Sequence, residues 1–234
     1  MNRLSAFLIV KNEARDLPGC LKSLAGLADE IVVVDDGSTD ETAEIARAAG
    51  AQVFSRMLDG FAAQKQFALD RTTGDWAFSI DADERVTPAL AREIRAVIAR
   101  PEAADGYELE RQMYFLGKRL RHGGVGVDWV LRLFRRGRGR FRPVRVHERV
   151  DVEGTVARLT QPLEHYSYAT LREYLAKCNH YTTLAAQDLY GRGRRFRRME
   201  HLRPVWEIFQ RIVLKGAWLD GSSIAMTKIS LTVF

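Results

Sequence analysis

This 234-residue sequence predicts an α/β fold with a mainly parallel central sheet and a C-terminal helical segment. Three observations carry that expectation. Residues 4–10 (LSAFLIV) and 30–35 (EIVVVD) are continuous apolar runs, the pattern of strands buried on both faces. Helical spacing follows each run. Strand and helix then alternate through residue 100, which calls for parallel strands joined by right-handed crossovers.

The elements follow in order. The first helix spans 16–27, with Leu17, Cys20, Leu21, Leu24 and Leu27 at helical intervals. After the second strand, Gly37-Ser38-Thr39-Asp40 is a turn whose Ser or Thr caps a helix over 41–49, and Gly50 ends it. Residues 51–55 read as a third strand and 61–69 as a helix. Gly74 precedes a fourth strand, 76–80, and Thr87-Pro88 opens a helix that runs to 100. Beyond Asp105 the pattern changes to shorter strands at 107–111, 130–134 and 146–152, among basic, Gly-rich turns. Helical segments follow at 171–190 and 202–219.

Composition narrows the function classes. Lys plus Arg number 36 against 30 acids, and apolar residues make up 46%, which excludes disordered, collagen-like and coiled-coil chains. Two cysteines, Cys20 and Cys178, are too few for a disulfide framework or a Cys-type zinc site, and they fit a reducing compartment. No apolar stretch reaches the ~18 residues of a bilayer span. The first apolar run is too short for a signal peptide. The charge is uneven. Residues 111–149 hold 12 Lys or Arg against Asp128 and Glu148, and a second cluster gathers Arg192, Arg194, Arg195, Arg197, Arg198 and Arg203. Such asymmetry fits an anionic partner, the alternative being a solvated basic face.

Ligands of an open parallel sheet bind beyond the carboxyl ends of its strands. Three strands here end in chemically useful residues: Lys11-Asn12-Glu13, Asp35-Asp36-Gly37-Ser38 and Asp81-Ala82-Asp83-Glu84. On extended chain, Asp81 and Asp83 would point to the same side and address one hard cation, Mg²⁺ or Mn²⁺. The sequence contains no Gly-x-Gly-x-x-Gly after the first strand, no P-loop and no Gly-x-Ser-x-Gly elbow. That disfavours a dinucleotide oxidoreductase, a P-loop phosphotransferase and an α/β hydrolase. A nucleotide diphosphate whose leaving group needs neutralising charge suits what remains.

Ile9-Val10-Lys11-Asn12-Glu13, Val33-Val34-Asp35-Asp36-Gly37-Ser38-Thr39-Asp40 and Asp81-Ala82-Asp83-Glu84, in this order and spacing, resemble the family 2 glycosyltransferases. Six further strings sharpen the likeness: Phe115-Leu116-Gly117, His122-Gly123-Gly124, Leu131-Arg132-Leu133-Phe134-Arg135, Val146-His147-Glu148, His165-Tyr166-Ser167-Tyr168 and Leu219-Asp220-Gly221. They are similar to a bacterial branch that includes lipopolysaccharide-core glucosyltransferases. The resemblance implies a GT-A type nucleotide-sugar-binding fold, an inverting hexosyl transfer, a nucleotide-sugar donor such as a UDP-sugar, and Mg²⁺ or Mn²⁺. It divides the chain into a catalytic domain over 1–167, with a nucleotide half to about 104 and an acceptor half beyond, and a helical extension over 168–234.

Roles follow position by position. Asn12 and Glu13 match the segment bordering the donor base, and Asp36 the acid that contacts the nucleoside. Gln64 and Lys65 lie where the family places a donor-side cation, so Lys65 can meet the diphosphate as a point charge. Asp81 matches the carboxylate that faces the donor sugar or ribose, and Asp83 the metal ligand. His147 either completes the metal shell or is a strand histidine bonded to Glu148 or backbone. The general base expected on the acceptor hydroxyl is Asp128, with Glu148 second. Trp129 either stacks on a sugar ring or packs in the core.

Two other classes stay open: a sugar nucleotidyltransferase, and a non-catalytic basic nucleic-acid-binding protein. Against the first, no Gly-rich basic loop follows the first strand. Against the second, the arginines lack aromatic interleaving, so no nucleic-acid partner is expected. The acceptor expected is a lipopolysaccharide core or another phosphorylated lipid-linked saccharide. The location expected is peripheral, on the cytoplasmic face of the bacterial inner membrane. The basic clusters and apolar residues from Trp206 to Leu214 would meet an anionic leaflet there, unless that face packs on the catalytic domain.

Overall fold

In β1 (Leu4–Val10), side chains alternate between two apolar layers, which is why every residue of the strand except the hydrogen-bonded Ser5 is apolar. Leu4, Ala6, Leu8 and Val10 pack with Leu17, Cys20, Leu21 and Leu24 of helix α1 (Leu17–Leu24). Phe7 turns the other way, with Val32 and Val34 of β2 (Glu30–Asp35) and with Ala62, Ala68 and Leu69 of helix α3 (Phe61–Asp70). The computed structural model describes residues 2–122, 128–142, 149–168, 170–191, 193, 206 and 209–220.

The remaining elements are α2 (Thr42–Ala48), β3 (Gln52–Ser55), β4 (Trp76–Ser79), β5 (Glu84–Val86), α4 (Pro88–Ile98), β6 (Gly106–Phe115), β7 (Lys118–Arg119), β8 (Asp128–Arg135), β9 (Gly139–Arg142), β10 (Arg149–Val152), β11 (Val156–Arg158), β12 (Leu163–Tyr168) and α5 (Leu171–Gly191). The main sheet has the order β3-β2-β1-β4-β8-β6-β12-β5, and β9 and β10 form a separate pair. β1 runs parallel to both β2 and β4, and β2 parallel to β3. β8 returns antiparallel to β4. The chain therefore leaves β1 for β2 and β3, then reappears as β4 on the opposite side of β1. This is the switch point at which open α/β sheets hold ligands.

Local chemistry fixes the ends. Thr87 caps α4, its hydroxyl accepting from the Leu90 N–H at 3.1 Å, as expected. At α2 the expectation differs: the carboxylate of Asp40 accepts the Thr42 N–H at 3.1 Å, while Ser38 turns back to Asp35. Entry to β4 needs glycine, because a Cβ on Gly74 would stand 2.8 Å from the Arg3 carbonyl oxygen.

By internal contacts the chain forms two compact units, Met1–Arg111 with Trp129–His165, and Gln112–Asp128 with Tyr166–Phe234. In the second unit, β6 turns into β7 through Leu116 and Gly117, both at positive φ, a two-residue hairpin. Phe115, Leu120 and Tyr174 pack together there, and Tyr114 stacks on Tyr166. Within the helix expected over 202–219, the described residues are α-helical at Trp206 and Phe209, π-helical at Gln210–Leu214 and 3₁₀-helical at Ala217–Asp220. Among the described residues no helix is long and apolar enough to cross a membrane.

Candidate active site

The three polar strand ends lie side by side, because β2, β1 and β4 are parallel neighbours. Beyond β1, Asn12 takes a positive φ of 54° and is braced by the turn after β2. Its N–H donates to the Ser38 hydroxyl at 2.9 Å, and its side-chain oxygen accepts the Thr39 N–H at 2.8 Å. The Glu13 N–H donates to the Thr42 hydroxyl at 2.8 Å. Asp36 takes Lys11 Nζ at 3.0 Å and the Leu58 N–H at 2.7 Å. These two bonds, that from Lys11 first, hold its carboxyl below the usual range. Gln64 is fully buried on α3; its amide donates to the Arg56 carbonyl at 2.6 Å, and its buried Oε1 has no hydrogen-bond partner among the described residues.

After β4 the chain does not continue extended. The Glu84 N–H donates to the Asp81 carbonyl at 3.0 Å and closes a turn over 81–84. The two aspartates therefore meet different partners rather than one common point. Asp81 receives Lys65 Nζ at 3.3 Å and Arg132 Nη2 at 2.5 Å. Burial opposes ionisation of Asp81, but Arg132 and Lys65 outweigh it and hold the group far below the usual carboxylate range. Asp83 lies 3.1 Å from His165 Nε2. The antiparallel pairing of β5 with β12 sets His165 opposite Glu84 and so delivers the imidazole to this turn.

Glu84 is fully buried. It accepts from Arg132 at 2.7 Å and from the Asp81 N–H at 2.9 Å, with Arg111 at 3.7 Å. Burial pushes its pKa up, Arg132 counters, and the charge of Asp81 adds to the rise. Arg132, Glu84 and His165 carried no role in the sequence reading. Arg132 and His165 stood in strings of the resemblance, but nothing in those strings says that they fold against Asp81 and Asp83.

A model of one family, described as "Glycosyl transferase family 2", matches residues 5–155, well over half of the chain. The chain belongs to glycosyltransferase family 2. Its fold is the GT-A type that this family implies. One relative, the lipopolysaccharide core biosynthesis glycosyltransferase LpsC of Rhizobium meliloti, is 36% identical over 94% of this chain and 84% of its own length. An uncharacterized glycosyltransferase of Rickettsia typhi, RT0209, is 28% identical over 84% of this chain and 71% of its own. The solved glucosyl-3-phosphoglycerate synthase of Mycobacterium tuberculosis shares 25% identity over 48% of this chain and 44% of that one, with a TM-score of 0.41.

Of the other site residues expected in this family 2 glycosyltransferase, Asp128 and Trp129 are among the described residues. Asp128 opens β8, exposed, and belongs to the second unit. Trp129 has the Arg158 guanidinium 4.5 Å over its ring. His147 and Glu148 lie outside the described residues.

Proposed function

We propose that this glycosyltransferase is an inverting hexosyltransferase that moves a sugar from a UDP-sugar to a lipopolysaccharide core or another phosphorylated lipid-linked saccharide. One observation carries the donor half of the reading: Asn12, Asp36 and the Asp81–Glu84 turn share the carboxyl edge of three adjacent parallel strands. The acceptor class rests on the likeness to LpsC. Asp36 and Asn12 border the nucleoside, and Lys65 supplies a cation for the diphosphate. Asp81 faces the hydroxyls of the sugar or ribose.

Among the described residues no group of three His, Cys, Asp or Glu could hold a metal ion, and the donors proposed for a divalent cation are two, the Asp83 carboxylate and the His165 imidazole, 3.1 Å apart. Mg²⁺ and Mn²⁺ sites of this kind keep positions for waters and substrate phosphates. When bound, the metal would neutralise charge on the leaving diphosphate. His165 thus joins His147, which lies outside the described residues, as a histidine for the metal shell. Asp128 is assigned to draw the proton from the acceptor hydroxyl, with Glu148 second. Residues 1–104 would bind the donor, 105–167 the acceptor, and the basic, apolar C-terminal part an anionic membrane surface on the cytoplasmic side.

The test is a thermal-shift panel of nucleotide sugars with and without Mn²⁺. A bound donor raises stability by RT ln(1 + [L]/Kd). Stabilisation by one UDP-sugar, strengthened by Mn²⁺, is expected; a flat response to every nucleotide sugar would remove the donor assignment.

A further inference from the structure

Arg132 sits in an apolar stretch of β8, flanked by Leu131 and Leu133, and its side chain is only 8% exposed. A buried ion pair is a poor way to stabilise a core, since apolar residues of similar volume often do as well or better. An arginine here points to a use. Its Nη2 donates to Asp81 at 2.5 Å and to Glu84 at 2.7 Å. Glu84 in turn accepts the backbone N–H of Asp81 at 2.9 Å. Asp81 is thus held at both ends by Glu84, at the backbone directly and at the carboxylate through Arg132. Lys65 meets the other Asp81 oxygen at 3.3 Å, from a different element and as a point charge.

We propose that Arg132 is a positioning residue of the donor site: anchored on Glu84, it fixes the Asp81 carboxylate in one orientation toward the hydroxyls of a nucleotide sugar. This rests on the donor reading of Asp81 given above. A carboxylate that must accept from a hydroxyl binds best when its direction is set before the ligand arrives. Lys65 can then turn to a phosphate without releasing Asp81.

Charge balance suggests the experiment. Arg132→Met alone leaves the fully buried Glu84 with only the longer 3.7 Å approach of Arg111 and Asp81 with Lys65, and is expected to lower Tm strongly. Arg132→Met with Glu84→Gln removes one charge of each sign, keeps the Asp81–Lys65 pair and leaves Arg111, which is 23% exposed, to solvent, and is expected to recover most of that Tm. Binding of UDP-glucose with Mn²⁺ is then measured by calorimetric titration. The account expects the refolded double variant to lose at least about tenfold in affinity, Arg132→Lys to lose less, and Asp81→Asn to lose as much as the double variant. Adding the double change to Asp81→Asn should cost nothing further, the signature of a residue acting through another. Wild-type affinity in the folded double variant would overturn the proposal and leave the donor reading standing. A wild-type protein that binds neither UDP-glucose nor UDP would overturn both.

Discussion

Asp83 and Asp128 are expected to fail in different ways. Asp83 is partly exposed in the turn after β4, beside His165. Asp83→Ala breaks the partly buried pair with His165 and should cost about 0.5–3 kcal/mol while the protein still folds. It should lose Mn²⁺-dependent nucleotide binding by calorimetry; full activity in the purified variant would defeat the metal assignment. Asp128→Asn should keep donor affinity and lose turnover by ~10² or more, the size of a general-base contribution. If Glu148→Gln is inactive while Asp128→Asn turns over, the base is Glu148. The placement of Asp36, Asp81 and Asp83 just beyond strand ends could be read from sequence, because an apolar strand runs up to each turn. His165 and Arg132 could not. They lie 82 and 51 residues from Asp83 and Asp81, and only strand pairing brings them there.

At the scale of elements, legibility followed length. β1 and β2 are long, apolar and flanked by helices, so a sequence pattern marks them. β5, β7 and β11 have three, two and three residues, too few to show any period. Yet β5, paired with β12, positions the candidate metal site. The cap of α2 was misread because Ser38 and Thr39 serve the loop after β1 instead, through Asn12. Gly74 marks how closely β4 follows β1. Gly74→Ala would push a methyl to 2.8 Å from the Arg3 carbonyl oxygen and 2.7 Å from the Ser5 hydroxyl. It should destabilise by about 1–3 kcal/mol, the range for overpacking, measured by chemical denaturation. A neutral effect would mean that β4 can yield without loss.

Across the whole molecule, charge decides two outcomes. Several carboxylates are held below their usual pKa: Asp29 first by its bond from Arg95, Asp40 by Thr42, and Asp105 by the Thr155 N–H. A depressed folded pKa adds stability above the unfolded value of about 4 and loses it as pH falls toward the folded value. Tm should therefore hold steady near neutrality and drop below about pH 4; a Tm that rises on acidification would contradict these pairings. The second outcome is location. The chain carries an excess of six positive charges, and Trp206, Phe209, Val213, Leu214 and Trp218 are exposed. It should sediment with anionic liposomes at low salt and leave them at high salt, because the attraction is screened. Equal binding to neutral liposomes would sink that idea without touching the chemistry. The acceptor could not be read at this scale, since charge marks an anion but not which one. The most direct test of the central claim is the mass of a lipopolysaccharide-core acceptor after incubation with the enzyme, UDP-sugars and Mn²⁺. The account predicts the gain of one hexose unit with release of UDP. Release of pyrophosphate, or an unchanged acceptor with every donor tried, would contradict it.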